Sequence, residues 1–507
     1  MSGTALAQQA TPPADTDQPD QSDATADAAI QQAKDLDDAQ AKLELLQAQV
    51  EALQESIAQI QAAQAKVTPS WKGAPQLEDK DAGWSFKPKG LVQYDAGYVG
   101  YPNGDELRGT VAGLNFGNLG WSTRARRLTI GADGTIPGGF RYSVEFNFAQ
   151  GQVDFEDVLL AYDFKDTPLT AQVGYFYPFS SLETMTSSKY TSFMERAGIT
   201  DAFSHNRRIG AALVANDKTA DKWTAQAGIF SEEMNANDFN RTGWVFAARG
   251  VFSPTLGTTR LHLGANFEHR DNRREAQSRN YQLRPTTQLT DQRFISTGNI
   301  AGKSDNIAGV EVAAIMKNFH FAGEAQKVWV NAYSAAEIAA LAAQTDTNDT
   351  PLGTGYNGNP SFWSAYGEIG YYFTGETRGY KGGKFDRTKV LHPFNEGGWG
   401  ALQLNARLDY VELRDRVDSS SASVAAPFYV NGGKQIAYEG SLIWNPTDYV
   451  RFMAQYGHID VTGGPRGSVA TAGPPPTLGV FPIGTTTPAN QRKYGVNTFA
   501  VRAQLDF

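Results

Sequence analysis

Cysteine is absent from the 507 residues. Disulfides, thiolate metal centres and cysteine nucleophiles are therefore excluded. Long apolar runs are missing too: nothing approaches the ~18–20 consecutive apolar residues that a membrane helix requires. That excludes a helical membrane protein but leaves a membrane β-barrel open, since barrel strands show lipid only every second residue and score as polar on average. Histidine is scarce, with 6 in the chain. None of His205, His262, His269, His320, His392 and His458 stands in HExxH or another metal-ligating spacing. The "GGWG" at 397–400 is neither a phosphate loop nor a dinucleotide fingerprint and reads as turn glycines. With no recognisable nucleophile–base set, no catalytic residue, metal or cofactor is expected.

Charge is also lacking where the net value of −9 suggests an excess. The first 70 residues hold 11 acidic residues against 3 lysines, leaving 43 acids and 42 bases in the remainder. A neutral body behind an acidic arm has no field that would gather nucleic acid. What is plentiful is Tyr (21), Phe (28), Trp (9) and Gly (51), a mixture suited to strands and tight turns. Hydrophobic residues make up 41% of the chain, yet the mean hydropathy is −0.42, so apolar and polar residues are interleaved.

The arm has its own pattern. Ala5 to Ala7 followed by Gln8 resembles the end of a signal peptide, although no basic or apolar segment precedes it. Residues 1–35 read as a signal remnant and a flexible acidic leader rich in Gln, Ala, Asp and Pro. From Leu36 the heptad positions fill. Leu36, Leu43, Val50 and Ile57 recur at seven, as do Ala39, Leu46, Leu53, Ile60 and Val67. Residues 36–68 are thus expected to form an oligomerising coiled coil, extending about 48 Å at 1.5 Å per residue. Glutamine at the flanking positions Gln40, Gln47, Gln54 and Gln61 carries no charge code for a different partner and favours self-association. The mix of Leu, Val and Ile leaves dimer and trimer open. Thr68-Pro69 ends the helix, and residues 69–86 read as a linker.

From residue 87 to 507, segments of about ten residues alternate strictly, the length of a tilted membrane strand. In "FRYSVEFNF", Phe140, Tyr142, Val144, Phe146 and Phe148 oppose Arg141, Ser143, Glu145 and Asn147. "LQLNARLDY" at 402–410 and "RLHLGANFE" at 260–268 repeat the design. Periodicity does not separate a membrane barrel from a soluble sandwich, because both alternate at two. The connections do. Strands begin near 87, 124, 138, 154, 168, 206, 221, 243, 258, 306, 318, 361, 398, 434, 448 and 495. Short turns such as Pro137-Gly138-Gly139, Lys317-Asn318 and Asn445-Pro446-Thr447 alternate with long loops near 100–123, 178–205, 270–305, 330–360, 414–433 and 461–494. One turn, 375–397, is long on the short side; its "YKGGK" at 380–384 is expected to be solvated, with a lysine pair guiding anions at the exit as the alternative. Such sorting is the layout of an outer-membrane barrel. The expected fold is all-β: a transmembrane barrel of 16 antiparallel strands preceded by an α-helical coiled-coil arm. Its terminal "FAVRAQLDF" closes against the first strand, leaving no edge in lipid, and resembles the signal read by barrel-assembly machinery. Sixteen strands leave a water-filled interior. Trp121, Trp223, Trp244, Tyr371 and Trp444 suit interfacial girdles.

Alternation places Arg127, Arg141, Arg208, Arg249, Arg260, Arg270, Arg407, Arg451 and Arg502 inward, with Glu145, Asp163, Glu268, Glu311, Glu368, Asp409, Glu439 and Asp506. Most are expected to pair across strands, and Arg502 to lie at the periplasmic end. Guanidinium suits an anion path, being planar, forked and always charged.

"RRLTIGADGTIPGGFRY", "GYFYPFSSLETMTSSKYTSFMER" and "ARGVFSPTLGTTRLHLGANFEHRD", within residues 126–271, resemble the phosphate-selective porin family, porins O and P. "YYFTGETRGYKGGKFDRTKV" is similar to that family's long inward turn. The resemblance implies a homotrimer of barrels in the Gram-negative outer membrane, contacting lipid and passing small anionic solutes past an infolded loop 3. Some members carry a periplasmic coiled coil, and for residues 36–68 a peptidoglycan or periplasmic partner is an additional expectation. It assigns anion contact to Arg126, Arg127, Ser187, Ser188 and Arg196, with Glu156 beside the constriction. Thr184 departs from the pattern: a phosphate-specific member would have a lysine there. A general porin for a sugar or carboxylate, and an outer-membrane anchor tethering the envelope through the coiled coil, are the alternatives.

Overall fold

The computed structural model describes residues 21–66, 70–71, 73–100, 119–231, 243–272, 278–343, 353–356, 358–416, 430–463 and 493–507. Much of the expected long loops near 100–123 and 461–494, the leader before Gln21, and Val67 and Thr68 lie outside the described residues. The chain forms two compact units, residues 1–68 and 69–507.

In the first unit the described residues form one helix, α1 (Gln21–Lys66), of 46 residues. It starts 15 residues before the expected coiled coil, so the second half of the supposed flexible leader is helical. Residues 21–35, "QSDATADAAIQQAKD", lack the heptad seam but are rich in alanine and glutamine. Intrinsic propensity extends the helix where apolar periodicity does not. Leu36, Leu43, Leu46, Val50, Leu53 and Ile57 are all exposed along it.

The second unit is the barrel. Its strands are β1 (Trp84–Val99), β2 (Gly120–Ile136), β3 (Phe140–Asn147), β4 (Asp154–Asp163), β5 (Leu169–Phe176) and β6 (Arg208–Asn216). They continue with β7 (Trp223–Ser231), β8 (Trp244–Phe252), β9 (Thr259–Asp271), β10 (Ile300–Met316) and β11 (Phe319–Ala332). Last come β12 (Ser361–Tyr372), β13 (Ala401–Asp415), β14 (Val430–Thr447), β15 (Val450–Thr462) and β16 (Lys493–Asp506). Each pairs antiparallel with its neighbours, and β16 returns to β1 with Asp506 opposite Leu91 and Thr498 opposite Val99. Phe507 completes the closure through backbone hydrogen bonds with Gly90 in both directions, 3.0 and 3.2 Å. Within the expected linker Pro75–Asp79 forms a short strand that pairs with residues 84–86. Asp79 Oδ1 accepts the amides of Asp81 and Ala82, and Gly83 supplies the positive φ that reverses the chain.

The faces decide what periodicity leaves open. Large apolar side chains such as Leu128, Ile130, Leu213, Ile229, Leu263, Leu404, Leu408, Leu442 and Val501 are exposed on the outside, whereas Arg249, Arg270, Glu311, Glu368, Arg407 and Arg502 are buried inside. A soluble sandwich would show the reverse. Only hydrocarbon covers so much apolar surface without cost. Trp121, Trp223, Trp244 and Tyr371 are exposed at strand ends, and Trp444 donates its indole N–H to the Trp399 carbonyl at 2.7 Å.

Among the described residues three segments fold into the interior. The third connection on the long-loop side, residues 177–207 (loop 3), carries two short helices, α2 (Leu182–Met185) and α3 (Gly198–Ala202). The loop after β9 reaches inward, with Ser122 donating to the Leu289 carbonyl and Arg124 to that of Gln288, 2.9 and 2.6 Å. From the short-turn end comes a hairpin of Gly379–Lys381 and Lys384–Asp386. Its Gly383 carbonyl accepts from Arg249 at 2.8 Å, Tyr380 meets His262 at 2.7 Å, and Phe385 is buried against Leu182 and Ile315. The expected solvated turn is thus a lumenal insert, because an aromatic pair inside YKGGKF finds an apolar seat among Ala313, Ile315 and Ala322.

Candidate functional site

Loop 3 is held by wall residues from β11 round to β16. Glu324 accepts the amides of Leu182 and Glu183 at the start of α2, 2.8 and 2.7 Å. Asp409 accepts the Gly198 amide at the start of α3, 2.5 Å. Carboxylates at these helix N-termini answer amides that have no partner within the helix. Ser192 donates to Glu368 at 2.8 Å, the Met194 amide to Gln455 at 2.8 Å, and Arg451 to the carbonyls of Lys189 and Thr191 at 2.8 and 2.5 Å. Arg407 bridges Glu183 at 2.9 Å and Glu368 at 2.8 Å. The loop therefore covers one side of the lumen. On the opposite side Arg126, Arg127, Glu145, Glu156 and Asp157 of β2 to β4 keep part of their surface open.

Two irregularities shape this open side. In the β1–β2 ladder Gln93 faces Arg127 and Tyr94 faces Ala125, so Arg126 is an extra, unpaired residue. Such a bulge turns two consecutive side chains to one face and flips the phase of alternation beyond it. Strict alternation would send Arg126 into lipid; the bulge brings Arg126 and Arg127 inward together. The break is readable in "WSTRARRLTI", where outward residues change from Trp121, Thr123 and Ala125 to Leu128 and Ile130. The β3–β4 ladder slips likewise between Val144–Val158 and Phe146–Phe155, so both Glu156 and Asp157 point inward. Both pair with Arg207, Asp157 at 2.7 Å. Arg207 in turn lies over the Tyr177 ring, 4.3 Å from its centroid, and Arg196 approaches the same ring at 5.5 Å.

Between loop 3, the loop after β9 and β2 lies a cavity of about 170 Å³. Arg126, Arg127, Tyr177, Glu195, Arg196 and Arg284 line it, with Asp409 and Glu439 at its β13–β14 side. The cations there are not equivalent. Arg126 grips Glu195 with two hydrogen bonds, 2.8 and 2.9 Å. Arg502 reaches the same carboxylate at 2.9 Å while holding Asp95, its cross-strand partner, at 2.6 and 2.7 Å. Arg502 is therefore part of this mid-barrel network and not a residue of the periplasmic end; its long side chain reaches up to loop 3. Burial alone would raise the Glu195 carboxyl, but Arg126, Arg502 and the nearby Arg127 outweigh it and hold the group well below the usual carboxylate range. Arg127 donates only to the Gln93 amide oxygen, 2.9 Å, and Arg196 only to the backbone carbonyls of Glu183 and Thr186, 2.9 and 2.8 Å. Among the described residues neither is ion-paired with a carboxylate, so each presents a guanidinium toward the cavity without a direct counter-ion.

Three of the expected residues, Arg126, Arg127 and Arg196, meet at this cavity. Ser187 and Ser188 do not. They lie half-buried elsewhere on loop 3, Ser187 Oγ accepting the Lys189 amide at 3.4 Å and the Ser188 carbonyl accepting from Gln93 at 3.3 Å. Thr184 is buried, with its hydroxyl in hydrogen-bond contact with Ser181 and Thr200, and does not line the cavity. Sequence reading missed Glu195, Tyr177 and Arg207, which loop conformation alone brings to the wall. Across the rest of the interior the expected pairing is found, with Arg270–Asp305 at 2.6 Å and Arg249–Glu311 at 2.7 Å.

The model of the family "Phosphate-selective porin O and P" matches residues 109–464. An uncharacterized protein of Caulobacter vibrioides is 33% identical over 456 residues, 88% of this chain and 78% of that protein. Porin O of Pseudomonas aeruginosa is 27% identical over 414 residues, 77% of this chain and 86% of that protein. Among solved structures, the anion-selective porin from Comamonas acidovorans aligns with a TM-score of 0.45 and 10% identity, covering 84% of this chain and all of that one.

Proposed function

Since the chain belongs to the phosphate-selective porin O and P family, we propose that this outer-membrane porin passes small anions by passive diffusion, with phosphate or polyphosphate as the leading substrate class. It is a channel rather than an enzyme. The anion path runs between loop 3 and the arginine-bearing wall of β2. One observation carries this reading: Arg127 and Arg196 face a single cavity with no carboxylate partner among the described residues. Forked, permanently charged donors exchange for hydration water in steps, and sharing the load over several of them keeps any one site from trapping the ion. Ser187 and Ser188 would act below the cavity, as a further contact. We further propose that three copies assemble and that the exposed heptad seam of α1 packs against its equivalents on the periplasmic side.

Planar-bilayer recording of the purified oligomer tests the channel. A reversal potential on the anion side in a potassium chloride gradient, with chloride current blocked by added phosphate or pyrophosphate, is expected. A cation-side potential would sink the proposal. Because the chain has no cysteine, a single Leu46→Cys tests the arm: interchain disulfides are expected in the native oligomer, and their absence under oxidation refutes the packed seam. Deleting residues 21–66 asks whether the arm also tethers the envelope; intact conductance with a detached outer membrane would show that it does.

Asp409 and Glu439 at the far side of the cavity favour a second reading, in which polyhydroxy or carboxylate solutes use both signs of charge. Block by such solutes at concentrations where phosphate has no effect would select it.

A further inference from the structure

We infer that Glu195 is a specificity-determining residue of the channel: a resident carboxylate occupying the Arg126 fork that a passing oxyanion would otherwise take. The inference rests on the anion-channel reading above and deepens it. The geometry is that of a bound ligand. Arg126 Nε and Nη2 meet the two oxygens of Glu195 at 2.8 and 2.9 Å, the parallel two-bond pattern in which a guanidinium also takes two oxygens of a phosphate. Arg502 Nη2 adds a third bond at 2.9 Å, from the next strand but one around the barrel. The carboxylate comes from loop 3, whereas both arginines belong to the wall. Around the same cavity Arg127 and Arg196 have only amide and carbonyl acceptors, so occupied and open guanidiniums stand side by side.

A channel needs this difference. Three guanidiniums without a carboxylate, those of Arg126, Arg127 and Arg196, around about 170 Å³ would bind a multivalent anion too firmly to release it, and conduction requires that the ion leave. Glu195 removes Arg126 from the open set and shares Arg502 with Asp95. An entering phosphate contacts Arg127 and Arg196 first and gains Arg126 only by displacing a carboxylate of similar shape. Exchange of one charge-assisted pair for another has little net driving force, so the ion is passed on. A purely structural role, stapling loop 3 to the wall, would also lose strength with the charge, but it would not make phosphate block tighter.

The test is Glu195→Gln, whose amide oxygen still accepts from Arg126 and Arg502 but carries no charge. Phosphate is expected to block chloride current at about tenfold lower concentration, the typical worth of one charged hydrogen bond released to the ligand. The reversal potential should move further to the anion side. Glu195→Asp, which keeps the charge, is expected to stay on the wild-type side of that change. An unaltered or weaker phosphate block in E195Q overturns the inference. Should E195Q fail to insert, Arg126→Gln and Arg127→Gln decide: with Arg126 already matched, R127Q must cost more anion preference than R126Q, and the reverse order refutes the assignment. Failure of the anion-channel reading is seen separately, as a cation-side potential in the wild type; the direction of the E195Q shift still judges Glu195.

Discussion

Arg407 ties loop 3 to the wall at Glu183, Phe193 and Glu195, and Arg407→Met puts a magnitude on that. Its guanidinium is buried and donates to Glu368 Oε2 at 2.8 and 3.2 Å, to Glu183 Oε1 at 2.9 Å and to the Glu195 carbonyl at 3.2 Å. It also lies 4.1 Å over the Phe193 ring. Methionine keeps the contact with Phe193 and removes the charge. Glu368 would retain Arg378 and Ser192, both at 2.8 Å. Glu183 would retain only the Ala197 amide, at 3.2 Å. A buried ion pair broken from one side costs about 3–5 kcal/mol, because the remaining charge has lost its partner. The barrel ladder does not pass through Arg407's side chain, so the cost falls on the docking of loop 3. At about 1.4 kcal/mol per decade, the loop should release roughly 10² to a few times 10³ times more often. Adding Glu183→Gln removes the stranded charge and should restore much of the loss. Two assays read this: single-channel noise, and trypsin cleavage at Lys189 and Arg196 in the folded oligomer. Wild-type noise and protection in R407M, or a double variant worse than the single one, would refute the reasoning.

Other outcomes follow from the same geometry. Arg127→Gln should shift the reversal potential toward cations more than Arg141→Gln, because Arg141 already has Asp163 at 2.5 Å near a strand end; equal shifts would deny Arg127 its place. Gly97→Val should prevent barrel closure, since an added Cβ meets the Phe499 carbonyl at 2.2 Å and the Ala500 Cα at 2.7 Å where β1 joins β16. Loss of the compact, heat-modifiable gel band would register it, and a normal band would contradict the register. Leu46→Asp together with Leu53→Asp, two exposed positions of one seam, should lower the temperature at which the oligomer dissociates while conductance per pore is retained. An unchanged temperature would show that the arm adds nothing to assembly.

Much of the barrel is legible without coordinates because its information is local. Alternation at two, interrupted by Pro137-Gly138-Gly139 or Lys317-Asn318, marks each strand and each short turn from neighbouring residues alone. The even strand number and the sorting of loops then imply closure. Arg407 with Glu368 and Arg270 with Asp305 are cross-strand neighbours, so their inward parity also foretells their pairing. Loop 3 is different. Its sequence shows no period, and Ser187 and Ser188 cannot be told from Thr184 or Glu195 by position, although one is turned to Thr200 and another to Arg126.

By itself, then, the order of residues determined how many times the chain crosses, where it turns, and which side chains share a face between irregularities. Tertiary structure decided which face meets hydrocarbon, since a wet exterior and a wet interior impose the same period of two. It also decided that Arg126 and Arg127 stand together, through one residue left over in the β1–β2 register. It decided that Glu195 meets Arg502 across 307 positions of chain. Contacts at that separation depend on how strands tilt, slip and close around an inserted loop, and no local pattern of apolar and polar residues carries that geometry.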